Sequence, residues 1–170
     1  ESADVILGDG ATGEVVISGP NVTPGYEGNP KANQSAFFMA DGKRWFRTGD
    51  QGAFDDEGYL RLTGRLKEII NRGGEKISPL EVDAVMLAHP DIAQVVCFAV
   101  PHPKLGEEIA AAVVLKEGST LDERAIREFT AQSVADFKVP RSVVILDEIP
   151  KGATGKIQRI GMAEKLGLTG

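Results

Sequence analysis

The sequence predicts an α+β protein, with a small β-rich subdomain followed by a compact C-terminal domain whose short β-sheet is flanked by helices. Three observations carry this. Residues 1–64 hold short apolar runs separated by Gly-rich turns. From residue 66 onward, strand-like and helix-like patterns alternate over about 100 residues, enough for a domain core. The bulk composition, 42% hydrophobic and 26% charged, is that of an ordinary globular chain.

In the first part, residues 14–18 (EVVIS) read as a strand between Gly13 and Gly19-Pro20. A short helix is expected near residues 30–37. Trp45-Phe46 then leads into a tight turn at Thr48-Gly49-Asp50. Residues 52–54 and 59–63 flank Asp55-Asp56-Glu57-Gly58, a hairpin signal. The boundary falls at residues 64–67, where a new core begins. Residues 68–70 and 76–78 bracket Asn71-Arg72-Gly73-Gly74 as a second hairpin. Ser78-Pro79-Leu80-Glu81 reads as a helix start, with Ser as N-cap, Pro at N1 and Glu closing a capping box. His89-Pro90 stops that helix, with His89 expected to cap its carbonyls. Residues 95–100 and 109–116 are apolar strands. Residues 121–134 form an amphipathic helix with Leu121, Ala125, Ile126 and Phe129 on one face. A third strand covers residues 142–146, and a short helix covers residues 160–166.

Charge and composition exclude several functions. Nineteen Lys and Arg face twenty-five Asp and Glu, a formal charge of −6, whereas a nucleic-acid binder carries a basic footprint. No apolar run approaches the roughly 20 residues of a membrane span. Glu1-Ser2-Ala3-Asp4 lacks the basic start of a signal peptide, and one cysteine excludes an internal disulfide. A cytoplasmic setting follows as the expectation. Cys97 reads as core, and His102, between two prolines, as a surface loop residue. No metal site is expected, because two His and one Cys are scattered.

Two glycine motifs fail on inspection. Gly8-Asp9-Gly10-Ala11-Thr12-Gly13 follows Val5-Ile6-Leu7 and matches G-x-G-x-x-G, but a strand follows where a dinucleotide site needs a helix. Gly152-Ala153-Thr154-Gly155-Lys156 has Pro150 at the first glycine position of a P-loop and Ile157 in place of the Mg²⁺-binding Ser or Thr. Two stretches remain that oppose the overall charge. Arg61, Arg65, Lys67, Arg72 and Lys76 stand against Glu68 and Glu75. Lys151, Lys156, Arg159 and Lys165 stand against Glu164. Both read as candidate anion sites, or as solvated faces.

Four ordered stretches are more specific: Trp45-Phe46-Arg47-Thr48-Gly49-Asp50, Gly64-Arg65-Leu66-Lys67-Glu68, Arg72-Gly73-Gly74-Glu75-Lys76-Ile77-Ser78-Pro79-Leu80-Glu81 and Thr154-Gly155-Lys156-Ile157-Gln158-Arg159. They resemble the C-terminal motifs of the adenylate-forming (AMP-binding) superfamily, which holds acyl-CoA synthetases, peptide-synthetase adenylation domains and luciferases. Gly13-Glu14-Val15 and residues 19–26 extend the resemblance over nearly the whole chain.

The resemblance implies that residues 1–64 are the last β-rich subdomain of an N-terminal adenylation region, 65–67 a hinge and 68–170 a mobile C-terminal domain. It implies an ATP-dependent acid–thiol ligase, in which a carboxylate becomes an acyl-adenylate and a thiol then displaces AMP. Lys156 would be the catalytic cation, and Asp50 and Arg65 would bind the nucleotide. Lys67 would be the hinge residue, and Gly73, Gly74 and Lys76 would form the CoA-side hairpin. The family's phosphate loop, acyl pocket and Mg²⁺ ligands have no counterpart motif here. The resemblance therefore implies a missing N-terminal region as partner, ATP with Mg²⁺ held outside this chain, and no acyl-CoA synthesis by the isolated chain. CoA is the expected acceptor, since Lys67-Glu68-Ile69-Ile70 departs from the Asp-containing hinge of peptide synthetases. A carrier-protein thiol, or a stand-alone non-catalytic binding module, stays open. A lysine acetyltransferase acting on Lys156 is the expected regulatory partner, because acetylation removes the charge.

Overall fold

The computed structural model describes residues 7, 8 and 10–169. Val5, Ile6, Asp9 and residues 1–4, on which parts of the glycine-motif and signal-peptide readings rest, lie outside the described residues. The chain divides into two compact units, Glu1–Lys67 and Glu68–Gly170.

The first unit is a four-stranded antiparallel sheet with one short helix: β1 (Gly13–Ile17), α1 (Pro30–Ala36), β2 (Phe37–Ala40), β3 (Lys43–Phe54) and β4 (Leu60–Arg65). Asn29 caps α1, its side-chain oxygen accepting from the Ala32 amide at 3.0 Å. The long β3 is central, with β1 along one side and β2 and β4 end to end along the other. Asp41 and Gly42 join β2 to β3 with φ of 50° and 69°, the left-handed pair of a tight hairpin turn. This Asp-Gly hairpin was a legible signal that the pattern reading passed over. Thr48-Gly49-Asp50 is not a turn. The strand runs through it as a bulge, where Glu14 to Val16 of β1 oppose Gln51 back to Arg47 of β3. Gly49, at φ 73°, takes the left-handed residue that lets the strand continue. The Thr48 hydroxyl donates to the Val15 carbonyl at 2.8 Å and accepts from the Asp50 amide at 3.0 Å.

The second unit follows a 3-10 turn at Leu66–Glu68. It comprises β5 (Ile70–Arg72), β6 (Glu75–Ile77), α2 (Pro79–Leu87), β7 (Ile92–His102), β8 (Gly106–Leu115), α3 (Glu123–Ala131), β9 (Ser142–Ile145) and α4 (Met162–Lys165). This is the order of hairpin, helix, two strands, helix, strand and helix expected from the sequence. The fold class is accordingly α+β. The five-stranded sheet runs β6-β5-β8-β7, with β9 parallel to β8. Both faces of its middle are covered, which is why β7 and β8 read as continuous apolar runs rather than alternating ones. Val95, Cys97, Ile109, Ala111 and Val113 pack with Val82, Met86 and Ile126 of the two longer helices. Val96, Phe98, Ala110 and Ala112 pack with Ile149 and Met162.

Local expectations needed correction here. The hairpin strand begins at Ile70 rather than residue 68, because Leu66–Glu68 is wound as a 3-10 turn. The capping box is not formed: the Ser78 side chain makes no capping bond to the helix amides, and Glu81 instead meets Lys138 Nζ at 2.6 Å. Pro79 at the first helical position, with Glu81 in the first turn, then supplies the helix-start preference. His89 caps through its backbone amide, which donates to the Met86 carbonyl, while its ring Nδ1 accepts from the Asp91 amide at 3.1 Å. Cys97 is buried and free. Among the described residues no helix is long and apolar enough to cross a membrane.

Candidate functional site

Asp50 and Arg65, 15 positions apart in sequence, are direct cross-strand partners of β3 and β4. Arg65 Nε pairs with Asp50 Oδ1 at 2.9 Å. The bulge at Thr48–Asp50 aims this carboxylate, since the Asp50 amide is already held by the Thr48 hydroxyl. Lys67 is the middle residue of the 3-10 turn, and the boundary between the two units falls immediately after it.

Gly73 and Gly74 are the two turn residues between β5 and β6, at φ 60° and 100°. Glycine takes both of these successive angles without strain. The turn is fixed from below: the Gly73 amide donates to the Leu105 carbonyl at 2.9 Å, and Arg72 Nε meets Glu108 Oε1 at 2.6 Å. Glu108 is only 4% exposed. Burial alone would raise its carboxyl, but the Arg72 hydrogen bond, the Ile109 amide and the Arg72 charge outweigh that and hold it below the usual glutamate value. Lys76 sits exposed on β6, at the sheet edge. His102 Nδ1 accepts from the Lys104 and Leu105 amides and so shapes the loop beneath this turn.

Lys156 lies in a turn closed by a bridge between Lys151 and Ile157. The Gly152 amide donates to the Lys156 carbonyl at 2.8 Å, and Gly155 adopts φ 75°. A Cβ on Gly152 would come within 2.6 Å of the Gln158 side chain, so a larger residue here would push the Gln158 amide aside. The four bases of this stretch are not equivalent. Lys151 pairs with Glu148, Lys165 Nζ reaches the Lys151 carbonyl at 3.3 Å, and Arg159 is held by two carboxylates. Among the described residues Lys156 makes no ion pair, and it is exposed. The upstream basic stretch is likewise mostly spent: Arg61, Arg65 and Arg72 pair with Asp55, Asp50 and Glu108.

Pattern reading missed the cluster around Arg159. The signal was Asp83, a charged residue between Val82 and Val85 on the apolar side of a helix, which demands a buried partner. Asp83 is 7% exposed. Its Oδ1 accepts from the Cys97 amide at 2.7 Å and its Oδ2 meets Arg159 at 2.7 Å. Burial raises its carboxyl above the ordinary range, with Arg159 and the Cys97 amide pulling the other way.

Comparison with known proteins gives these arrangements a family. Residues 81–156 match the AMP-binding enzyme C-terminal domain. An oxalate–CoA ligase of Arabidopsis thaliana is 58% identical over 147 residues, covering 86% of this chain and 28% of that protein. An oxalate–CoA ligase of Saccharomyces cerevisiae is 52% identical over 161 residues, covering 95% of this chain and 29% of that protein. The crystal structure of ATP-bound MatB from Rhodopseudomonas palustris superposes with a TM-score of 0.84 at 33% identity, over 94% of this chain and 31% of that one. The chain belongs to the adenylate-forming, AMP-binding enzymes and carries their C-terminal domain. It spans less than a third of the length of the curated relatives it matches. Among the described residues no group of three or more His, Cys, Asp or Glu is placed to hold a metal ion.

Proposed function

We propose that this chain is the C-terminal portion of an AMP-forming acid–CoA ligase and that Lys156 supplies the charge for its first half-reaction. The carboxylate of the acid attacks the α-phosphorus of ATP, forming the mixed anhydride and releasing pyrophosphate. The CoA thiol then attacks the acyl carbon, forming the thioester and releasing AMP. The first step drives one anion onto another, so a cation placed where charge develops lowers the barrier. The observation that carries the assignment is selective: among the described residues, Lys156 is the one of the four bases at residues 151–165 that is exposed and whose side chain makes neither an ion pair nor a hydrogen bond, on a bridged turn.

The remaining roles follow the same chemistry. A carboxylate oriented by Arg65 suits Asp50 to accept hydrogen bonds from two ribose hydroxyls. A two-glycine turn with no side chains lets the backbone at Gly73 and Gly74 approach a narrow pantetheine chain, with Lys76 beside it for an anionic group. Lys67, in a 3-10 turn at the unit boundary, is the hinge whose backbone change exchanges one half-reaction for the other. The remainder of the adenylation region, with Mg²⁺ and its ligands, belongs to the partner sequence N-terminal to this chain in the intact ligase. The relatives' names make oxalate the first acid to test, and support CoA over a carrier-protein thiol. Acetylation of Lys156 by a lysine acetyltransferase would switch adenylation off.

The test uses the intact ligase. Lys156→Ala should lower acid-dependent pyrophosphate exchange by about two to three orders of magnitude, the scale of losing one positioned transition-state donor. Supplying synthetic acyl-adenylate with CoA should restore thioester formation. Equal loss in both half-reactions would remove Lys156 from this role. A wild-type enzyme that exchanges no pyrophosphate with oxalate or any other acid would overturn the ligase reading itself.

A further inference from the structure

Arg159, three residues past Lys156, is bound in three directions by three different parts of the second unit. Its Nε meets Glu68 Oε2 at 3.1 Å, one NH group meets Asp83 Oδ2 at 2.7 Å, and the other donates to the Cys97 carbonyl at 3.0 Å. These acceptors lie at the end of the 3-10 turn, in the middle of α2 and in the middle of β7. Three acceptors in different directions fit the planar five-donor fork of a guanidinium. The Arg159 side chain is 15% exposed, so it is withdrawn from the role of a free phosphate ligand that its basic neighbourhood suggests.

The three arms differ in kind. Asp83 and the Cys97 carbonyl belong to the core, and they fasten Arg159 to α2 and β7. Glu68 is 22% exposed and sits directly after Lys67, on the turn where the two units divide. The Lys156 turn is thus closed by the Lys151–Ile157 bridge and tied down two residues later by Arg159. Through Arg159 it is also tied to the residue next to Lys67.

We propose that Arg159 is a positioning residue that couples the Leu66–Glu68 turn to the loop of Lys156, so that the backbone state of the turn sets where that lysine stands. The proposal rests on the reading of Lys156 as the adenylation cation and of Lys67 as the hinge. Its physical basis is that a charge-assisted pair between two segments 91 positions apart links their backbone freedom. A turn that rewinds must carry the Glu68 carboxylate with it, and then either drags Arg159 or releases it.

Glu68→Gln is the discriminating variant, since it keeps shape, leaves the buried Asp83–Arg159 pair intact and removes one charge. In this chain, backbone amide exchange should speed up at residues 65–69 and at residues 151–158 together. A partly screened charge-assisted bond supports a change of about tenfold. Exchange in β7 and β8 should stay as in the wild type. In the intact ligase the same variant should lower kcat for pyrophosphate exchange about tenfold at nearly unchanged KM for ATP, as expected for a misplaced catalytic group. Glu68→Asp should recover part of that loss, and thioester formation from synthetic acyl-adenylate should be unaffected. Faster exchange at residues 65–69 alone would overturn the coupling. Faster exchange in both segments with unaltered kcat would overturn the positioning role. Should the wild-type ligase itself form no acyl-adenylate, the ligase reading fails, and the exchange experiment decides the coupling by itself.

Discussion

At the scale of single residues, the chemistry of this chain turns on which charges are already satisfied. Glu108 and Arg72 show it on the hairpin side: the pair is 2.6 Å apart, with Glu108 nearly buried and Arg72 27% exposed. Because the folded Glu108 carboxyl titrates below its ordinary value, its contribution is fully present above the unfolded value and is lost as pH falls through the folded one. Acidification should therefore release the hairpin turn from β8 before the core melts. Amide signals of Gly73 and Gly74 should titrate with a midpoint below the ordinary glutamate range, and a midpoint at or above that range would contradict it. Arg72→Met, which strands the Glu108 charge, should destabilise by about 3 kcal/mol, the scale of breaking a buried pair, measured by urea unfolding. Asp83 runs the other way. Burial raises its folded carboxyl, so its stabilising share is complete below the unfolded value and is lost as pH rises through the folded one.

At the scale of elements, the 3-10 turn at Leu66–Glu68 is the feature with mechanical content. A proline ring holds φ near −65°, inside the range of a 3-10 turn, and also restricts the residue before it. Lys67→Pro in the intact ligase should then keep one arrangement of the turn and strain the other. Pyrophosphate exchange should remain within about threefold of wild type, while thioester formation falls about a hundredfold, the cost of a mispositioned reaction partner. Both half-reactions unchanged would make Lys67 a plain linker residue. Elements were legible wherever the pattern was local. The paired glycines at 73 and 74, Pro79 at a helix start and the apolar runs of β7 and β8 each announce themselves within a few residues. Thr48-Gly49-Asp50 did not, because a turn and a bulge use the same residues. What separates them is the partner strand β1, which carries Val15 opposite the bulge. The capping box failed for a related reason: Lys138, on a distant 3-10 turn, takes the carboxylate that would have folded back.

At the scale of the whole molecule, the two units are built on different terms. Among the described residues, every buried hydrophobic side chain lies between Ile70 and Met162. The first unit instead exposes Phe54, Tyr59, Leu60 and Leu62 around one hairpin, and Met39 on β2. Fully burying one such side chain is worth about 1.5–3 kcal/mol, so this sheet lacks most of the stabilisation a lone domain needs. Residues 66–170 produced alone should melt in one cooperative transition at about 45–65 °C, as ordinary domains of that size do. Residues 1–65 alone should show none. A non-cooperative melt of residues 66–170 would move the domain boundary, and a cooperative melt of residues 1–65 would make the exposed apolar face incidental.

The sequence by itself determined the α+β class, the order of elements in the second unit and the family motifs that mark Asp50, Arg65, Lys67 and Lys156. Those are local properties, set by periodicity, by turn residues and by short strings whose spacing survives without a fold. Only the tertiary structure decided which of the basic residues are available. Arg159 and Lys156 are three positions apart and alike in charge, yet one is held by Glu68 and Asp83 while the other is exposed and makes no ion pair among the described residues. The physical reason is that the partner of a charge is chosen by where the chain returns. Glu68 lies 91 positions before Arg159, and no local pattern records that they meet.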